Sequence, residues 1–210
     1  MYLLEGHTMV DLSRKLIPGE MNNTFGYERE LELKEIMFKM EGLADSWMNI
    51  VTLHDHIGTH LELPIHQFKD GLHLGNFPVD RCICGARLAD VTFAGEETRL
   101  KRADIIRATD DDVRKGDAVL IYSKFEPEIR PILTLEVAEW LVEKGVNIVG
   151  IDSMAGIEND AHQKILGSGI PFLEELVNLD KVPAKRGTLI SLPVSIEGCD
   201  SFPVRAVIVV

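Results

Sequence analysis

Between Leu53 and His66 the chain reads L-H-D-H-I-G-T-H-L-E-L-P-I-H. Four of its seven histidines fall here, His54, His56, His60 and His66, together with the carboxylate of Glu62. His56 and His60 stand four apart, which would place them on one face of a helix. Gly58 and Pro64 argue against a helix, so the stretch reads as extended, with side chains alternating between faces. Residues 54, 56, 58, 60, 62, 64 and 66 then make one face, rich in nitrogen and oxygen donors. Asp55, Ile57, Thr59, Leu61, Leu63 and Ile65 make the other, mostly apolar and fit for a core. Gly58 lets the backbone bend or approach a ligand closely. A lone histidine in such a place would be a surface or core residue. Several imidazoles with a carboxylate on one face point instead to a divalent cation such as zinc, manganese or iron.

The rest of the chain must position that row. Val10 to Ser13 reads as a short strand, and Ile17-Pro18-Gly19 as a turn. Met21 to Tyr27 reads as a loop with aromatic tips at Phe25 and Tyr27. Glu32 to Met40 suits a helix by composition and a strand by context. Ser46 to Leu53 reads as extended, feeding the histidine stretch. Lys69-Asp70-Gly71 is a turn, and isolated His73 just beyond it reads as a surface residue. Gly85 to Phe93 reads as a strand, and Lys101 to Ala108 as a short helix with Ile105 and Ile106 inward. Ala118 to Ser123 is a nearly continuous apolar run, as expected of a strand covered on both faces. Thr134 can cap a helix running to Lys144 and ended by Gly145, with Val137, Trp140 and Leu141 inward. Val146 to Ile151 then gives a second buried strand, so that the unit is βαβ with parallel pairing. Asp152 falls at that strand's carboxyl end, where open α/β sheets place ligands. His162 lies in the first turn of a short helix, Asp160 to Leu166. Ile170 to Leu173 leads to Glu174 and Glu175, and Leu189 to Ser195 and Arg205 to Val210 close the chain as strands.

Length and composition bound the reading. The chain has 210 residues, 45% of them apolar, enough for one domain over 1–210 without disulfide staples. A formal net charge of -12 argues against a nucleic-acid partner, whose phosphates demand a basic surface. Met1 to Val10 has neither a basic start nor a long apolar run, and no stretch approaches the roughly 18 apolar residues of a membrane span. The expectation is a cytoplasmic protein with no membrane partner. Its three cysteines, Cys82, Cys84 and Cys199, form an odd number. Cys82 and Cys84 would share one strand face, and their one-residue gap suits buried structural thiols better than a zinc site.

The residues also carry a resemblance. His56-x-Gly58-Thr59-His60-x-Glu62-x-Pro64-x-His66 is similar to the H-x-G-T-H-x-D-x-P-x-H signature of the cyclase family, the group of metal-dependent hydrolases containing bacterial kynurenine formamidase and isatin hydrolase. Asp11-Leu12-Ser13 resembles the family's opening strand. Gly150-Ile151-Asp152 with His162, followed by Gly169-Ile170 and Glu174-Glu175-Leu176-x-Asn178-Leu179, resembles its second motif. Pro203-Val204-Arg205-Ala206 resembles its last strand. The resemblance implies an α/β fold with a barrel-like mixed β-sheet core and flanking helices (swivelling β/β/α), assembled as a homodimer or homotetramer. It implies metal ligands at His56, His60 and Glu62, completed by His162 and Glu174, with Glu62 bridging two ions. Zinc is the first expectation and manganese the second. His66 is implied as general acid/base in the hydrolysis of an amide, formamide or lactam of a small-molecule substrate, as in the conversion of N-formylkynurenine to kynurenine. The chain departs from the family pattern at Glu62, one methylene longer than the family's Asp, and in its Asn22-to-Tyr27 loop.

Several alternatives stay open at this level. Glu175 takes the place of Glu174 if the register slips by one. His54 can support the site or simply face solvent, and Asp152 can orient a ligand histidine or cap a turn. His60, Glu62 and His162 also mimic the two-histidine, one-carboxylate triad of an iron oxygenase. A non-catalytic metal-binding member of the family is the third reading.

Overall fold

The computed structural model describes residues 6–20, 31–94, 98–124, 131–152 and 156–210. The Met21–Tyr27 loop lies outside them. In chain order the strands are β1 (Met9–Asp11), β2 (Leu31–Phe38), β3 (Ser46–Leu53), β4 (His60–Glu62), β5 (Ile83–Asp90), β6 (Ala118–Tyr122), β7 (Ile148–Ile151), β8 (Phe172–Glu174), β9 (Arg186–Leu192), β10 (Ser201–Pro203) and β11 (Arg205–Val209). Among the described residues three α-helices are interspersed: α1 (Arg102–Ala108), α2 (Leu135–Lys144) and α3 (Asn159–Gly167).

Nine strands form one mixed sheet in the order β1-β11-β9-β5-β6-β7-β8-β4-β10. The β5-β6-β7-β8 centre is parallel and the flanks are antiparallel. Laid flat, its two ends would stand about 38 Å apart at about 4.8 Å per strand. Yet Val10 and Leu12 near one end share a core with Leu61 and Leu173 at the other. The sheet must therefore curl. A hydrogen bond from Val177 N, just past β8, to the carbonyl of Leu12, just past β1, draws its two ends together. The outer face carries the three helices over a second core that includes Val119, Val137, Trp140, Leu141, Ile165 and Phe172. This is the barrel-like mixed sheet with outer helices that the resemblance implies.

The central βαβ unit forms as its pattern predicts. Strand β6 is buried along Ala118–Ile121, and Gly145 ends α2 in the left-handed conformation (φ 68°) that glycine tolerates best. Thr134 sits at the N-cap but does not cap. Its hydroxyl donates to the Leu100 carbonyl, and the Leu135 N–H is taken by Glu158 instead. Asp152, at the end of β7, accepts from the backbone N–H and hydroxyl of Ser123, tying β6 to β7. The Glu32–Met40 stretch resolves as strand as far as Phe38, because β2 pairs residue for residue with β3 in a separate two-stranded ribbon. Cys82 and Cys84 do not share a strand face: Cys82 ends a 3₁₀ turn, and only Cys84 lies in β5. Burial pushes both thiols up.

The histidine stretch departs from its extended reading. Only His60–Glu62 is strand. Residues 54–59 turn, with Gly58 at φ 55°, and Pro64–His66 forms a 3₁₀ turn. Proline occupies the first position of that turn, where its missing N–H needs no partner, and it holds Leu63 extended. His66 is thus lifted by a turn, not by strand alternation. His54 is exposed.

Candidate metal centre

Strand pairing places the first donors. On β4, Leu61 points to the inner core while His60 and Glu62 share the opposite face, all three fully buried. On β8 the register sets Glu174 opposite His60 and Phe172 opposite Glu62. His60 Nε2 consequently lies 3.1 Å from Glu174 Oε2. Glu175, the alternative to Glu174, is in the left-handed region (φ 58°), which ends the strand and sends its side chain to Arg14 at 3.2 Å. Thr59 fixes the approach of the two strands: its hydroxyl donates to the Glu175 carbonyl at 2.6 Å and accepts the Arg14 N–H at 2.8 Å.

The turn residues close over this face. His56 Nδ1 lies 3.4 Å and His66 Nε2 3.5 Å from Glu62 Oε2. From the first turn of α3, His162 Nε2 reaches Glu62 Oε1 at 2.6 Å, with its ring edge-on to Phe172. Every residue expected at the site therefore converges. Donor atoms within 4.8 Å of one another form three groups here: His56–His60–Glu174, Glu62–His162–Glu174 and His56–Glu62–His66. Both carboxylates reach two groups, so Glu174 is as central as Glu62. No such group among the described residues joins His60, Glu62 and His162, the set an oxygenase triad needs.

Asp200 went unseen in the sequence, and so did its role in ordering these rings. It lies just before β10, more than 130 residues from its partners. Its Oδ2 accepts from His56 Nε2 at 3.0 Å and His66 Nδ1 at 2.8 Å. Those two imidazoles hold the Asp200 carboxyl well below the usual carboxylate range. An ionised carboxylate only accepts, so both outward nitrogens carry the proton, and the lone pairs of His56 Nδ1 and His66 Nε2 turn inward. His60 is fixed the same way, its Nδ1–H donating to the Gly58 carbonyl at 2.7 Å. The loop before Asp200 is held in turn by His73, which is half-buried rather than the surface residue its isolation suggests. His73 Nδ1 accepts the N–H groups of Gly75 and Gly198, pinning the loop before Asp200.

Three inward lone pairs thus face two buried carboxylates. His60 Nε2, Glu62 Oε2 and both Glu174 oxygens are buried without a hydrogen-bond partner. Burying charge in this way costs several kcal/mol per ion unless an opposite charge meets it. The titration shifts express the same demand. Burial pushes His60 down, but the Glu174 carboxylate beside it prevails and raises it. Burial pushes Glu62 up, yet His162, His66 and His56 together bring it below its ordinary value. Asp200 raises His66. Imidazole nitrogens and carboxylate oxygens turned toward one another in a buried cluster are the donor set of a divalent ion, so these residues fit one.

A family model described as "Putative cyclase" matches residues 10–156. The chain belongs to the cyclase family. Among other members, a kynurenine formamidase of Bacillus cytotoxicus is 32% identical over 168 residues, covering 75% of this chain and 78% of that protein. A kynurenine formamidase of Salinibacter ruber is 27% identical over 208 residues, covering 95% and 96%. In fold, this cyclase-family chain is similar to isatin hydrolase A from Labrenzia aggregata, solved with benzyl benzoate bound. The TM-score is 0.84 over 99% of this chain and 96% of that one, at 21% identity.

Proposed function

We propose that this protein hydrolyses an aryl formamide or a cyclic aryl amide, with N-formylkynurenine and isatin as the first substrates to test. Its class, a metal-dependent hydrolase of carbon–nitrogen bonds other than peptide bonds, comes with its relatives. The substrate is the step beyond, supported by the names of those relatives. The observation that carries the reading is the inward set of His56, His60 and His66 nitrogens around the unpartnered Glu62 Oε2 and both unpartnered Glu174 oxygens.

His56, His60 and Glu174 would hold one cation, and Glu62, His162 and Glu174 a second beside it. A divalent ion there supplies a water with its pKa lowered to about 7 and polarises the substrate carbonyl. Zinc is the first choice for such a nitrogen–oxygen set, and manganese the second. His66 does the proton work. Its Nε2 faces the site, and its side chain is 35% exposed, so it meets both water and substrate. It takes the proton of the attacking water and returns it to the departing nitrogen, giving carboxylic acid and amine. Asp200 holds the ring in the required tautomer throughout. Elemental analysis of the purified protein, then assays on the two substrates with zinc or manganese restored, tests the reading. Turnover of either, abolished by chelation and recovered with metal, is expected. A metal-loaded protein that cleaves no amide, lactam or ester in a broad panel would show a non-catalytic member.

A second copy of the chain is the expected partner. The β2–β3 ribbon leaves Leu33, Leu43, Trp47, Ile50 and Val51 about half or more exposed, and a two-stranded ribbon is marginal alone. Light scattering that returns a dimer or tetramer, lost on Trp47→Glu, supports it. The three free thiols suit a reducing cytoplasm, and no helix among the described residues is long and apolar enough to cross a membrane.

A further inference from the structure

One imidazole in the site is oriented differently from the rest. The outward nitrogens of His56, His60 and His66 each meet an oxygen that only accepts, either Asp200 Oδ2 or the Gly58 carbonyl. The outward nitrogen of His162, Nδ1, meets the side-chain amide of Gln67, with Gln67 Nε2 at 2.9 Å. The same amide leaves its Oε1 buried without a hydrogen-bond partner. Gln67 follows directly on the Pro64–His66 turn, so that turn, which lifts His66, also carries the amide to α3.

A neutral imidazole has a single N–H. With the Gln67 NH₂ donating to Nδ1, the proton must sit on Nε2, where it meets Glu62 Oε1 at 2.6 Å. That tautomer satisfies the carboxylate but cannot offer Nε2 to a cation. Turning the Gln67 amide by half a rotation brings the unpartnered Oε1 onto Nδ1. The N–H then moves to Nδ1, and the Nε2 lone pair faces Glu62 and Glu174, as the inward nitrogens of the other three already do. Oxygen and NH₂ are nearly equal in size, so the exchange leaves the packing unchanged.

We propose that Gln67 is a positioning residue: its amide orientation selects the His162 tautomer and thereby sets the cation affinity of the Glu62–His162–Glu174 group. This rests on the metal-dependent reading above. Gln67 acts through His162 and touches no reacting atom, as expected of the groups that orient metal-bound histidines from behind.

The test uses chelator-stripped full-length protein titrated with zinc ion alone. Binding is followed by calorimetry and elemental analysis, and the histidine ring nitrogens by ¹⁵N–¹H correlation spectra. His162→Ala marks the component of binding that depends on His162. Gln67→Met, near in length and without a strong acceptor, should weaken that component about 10- to 100-fold. Gln67→Glu, an acceptor in either orientation, should restore it to the wild-type level or above. In zinc-loaded wild type the His162 proton should sit on Nδ1. Zinc binding unchanged by Gln67→Met or by His162→Ala, or a zinc-loaded His162 protonated on Nε2, overturns the proposal while leaving a metal enzyme in place. A wild type that takes up no zinc sinks the metal reading and this inference together.

Discussion

Strands β6 and β7 at the centre of the sheet and strands β4 and β8 toward its end are all short, buried and neighbours in one sheet. In the centre, both faces are apolar: Val119 and Ile121 enter the helix-side core, and Ala118 and Leu120 the inner one. At the end, only one face is. Leu61 and Leu173 enter the inner core, while His60, Glu62 and Glu174 occupy the other face at zero exposure. The same backbone thus carries two kinds of burial. In the centre burial stabilises, at about 25 cal/mol per Å² of apolar surface. At the end it removes charges from water at a cost that only a bound cation offsets fully. The central unit should therefore hold its stability whatever is bound, and the terminal pair should depend on its ligand.

The sharpest way to break that comparison is Glu174→Gln. The substitution keeps the shape and removes the charge shared by both cation groups. Metal content should fall, and kcat/KM with it, by about three orders of magnitude, since a bound ion supplies several kcal/mol of transition-state stabilisation. The metal-free variant should stay within about 1 kcal/mol of metal-free wild type, because it no longer buries that carboxylate. A large loss of stability without metal would mean that Glu174 is a structural charge. His66→Ala comes next. Activity should drop about 100-fold or more while metal content is spared, as for a proton carrier that is not a ligand. His66 stands in one donor group with His56 and Glu62, so loss of metal in this variant would reassign it as a ligand.

What the sequence disclosed follows the same division. The βαβ centre was legible because its pattern is local: an apolar run, an amphipathic helix closed by Gly145, and a second run. His56, His60 and Glu62 were legible because they lie within seven residues. His162 and Glu174 came only through the family resemblance, since nothing nearby marks them. Glu174 faces His60 through a β4–β8 register that crosses more than a hundred residues, and His162 reaches the same site from α3. Asp200 was invisible for the same reason. It lies beside β10, a three-residue edge strand containing Pro203, where strand patterning is weakest. The extended reading of 53–66 failed on both sides of β4: at 54–59, where Gly58 takes a positive φ, and at Pro64, because a proline that excludes a long helix is well placed to open a short turn.

Two smaller effects sharpen the comparison from opposite sides. Ile148→Val trims one methylene in the centre of the sheet, where Ile148 is fully buried. It should cost about 1 kcal/mol in thermal unfolding. The cost should be the same with and without zinc, since Ile148 packs in the inner core and belongs to none of the donor groups. A zinc-dependent cost would show that the two regions are coupled.

The smallest effect is at the rim, where Asp200 faces His66 in metal-free protein. Asp200 raises the His66 imidazole above its ordinary value of about 6.5, against the opposing effect of burial. A group raised on folding contributes stability that is fully present below its unfolded pKa and is lost as pH rises through the folded one. Asp200 itself is lowered, by His56 and His66, so its own contribution is present above about pH 4 and lost on acidification. The stability gap between metal-free wild type and Asp200→Asn should therefore be widest from about pH 4 to 6.5 and narrow above that window as His66 loses its proton. In an NMR titration the His66 midpoint should lie above the ordinary histidine value in wild type and move down in Asp200→Asn. A midpoint unmoved by the substitution would detach Asp200 from His66. The inward lone pairs of His56 and His66 would then need another cause.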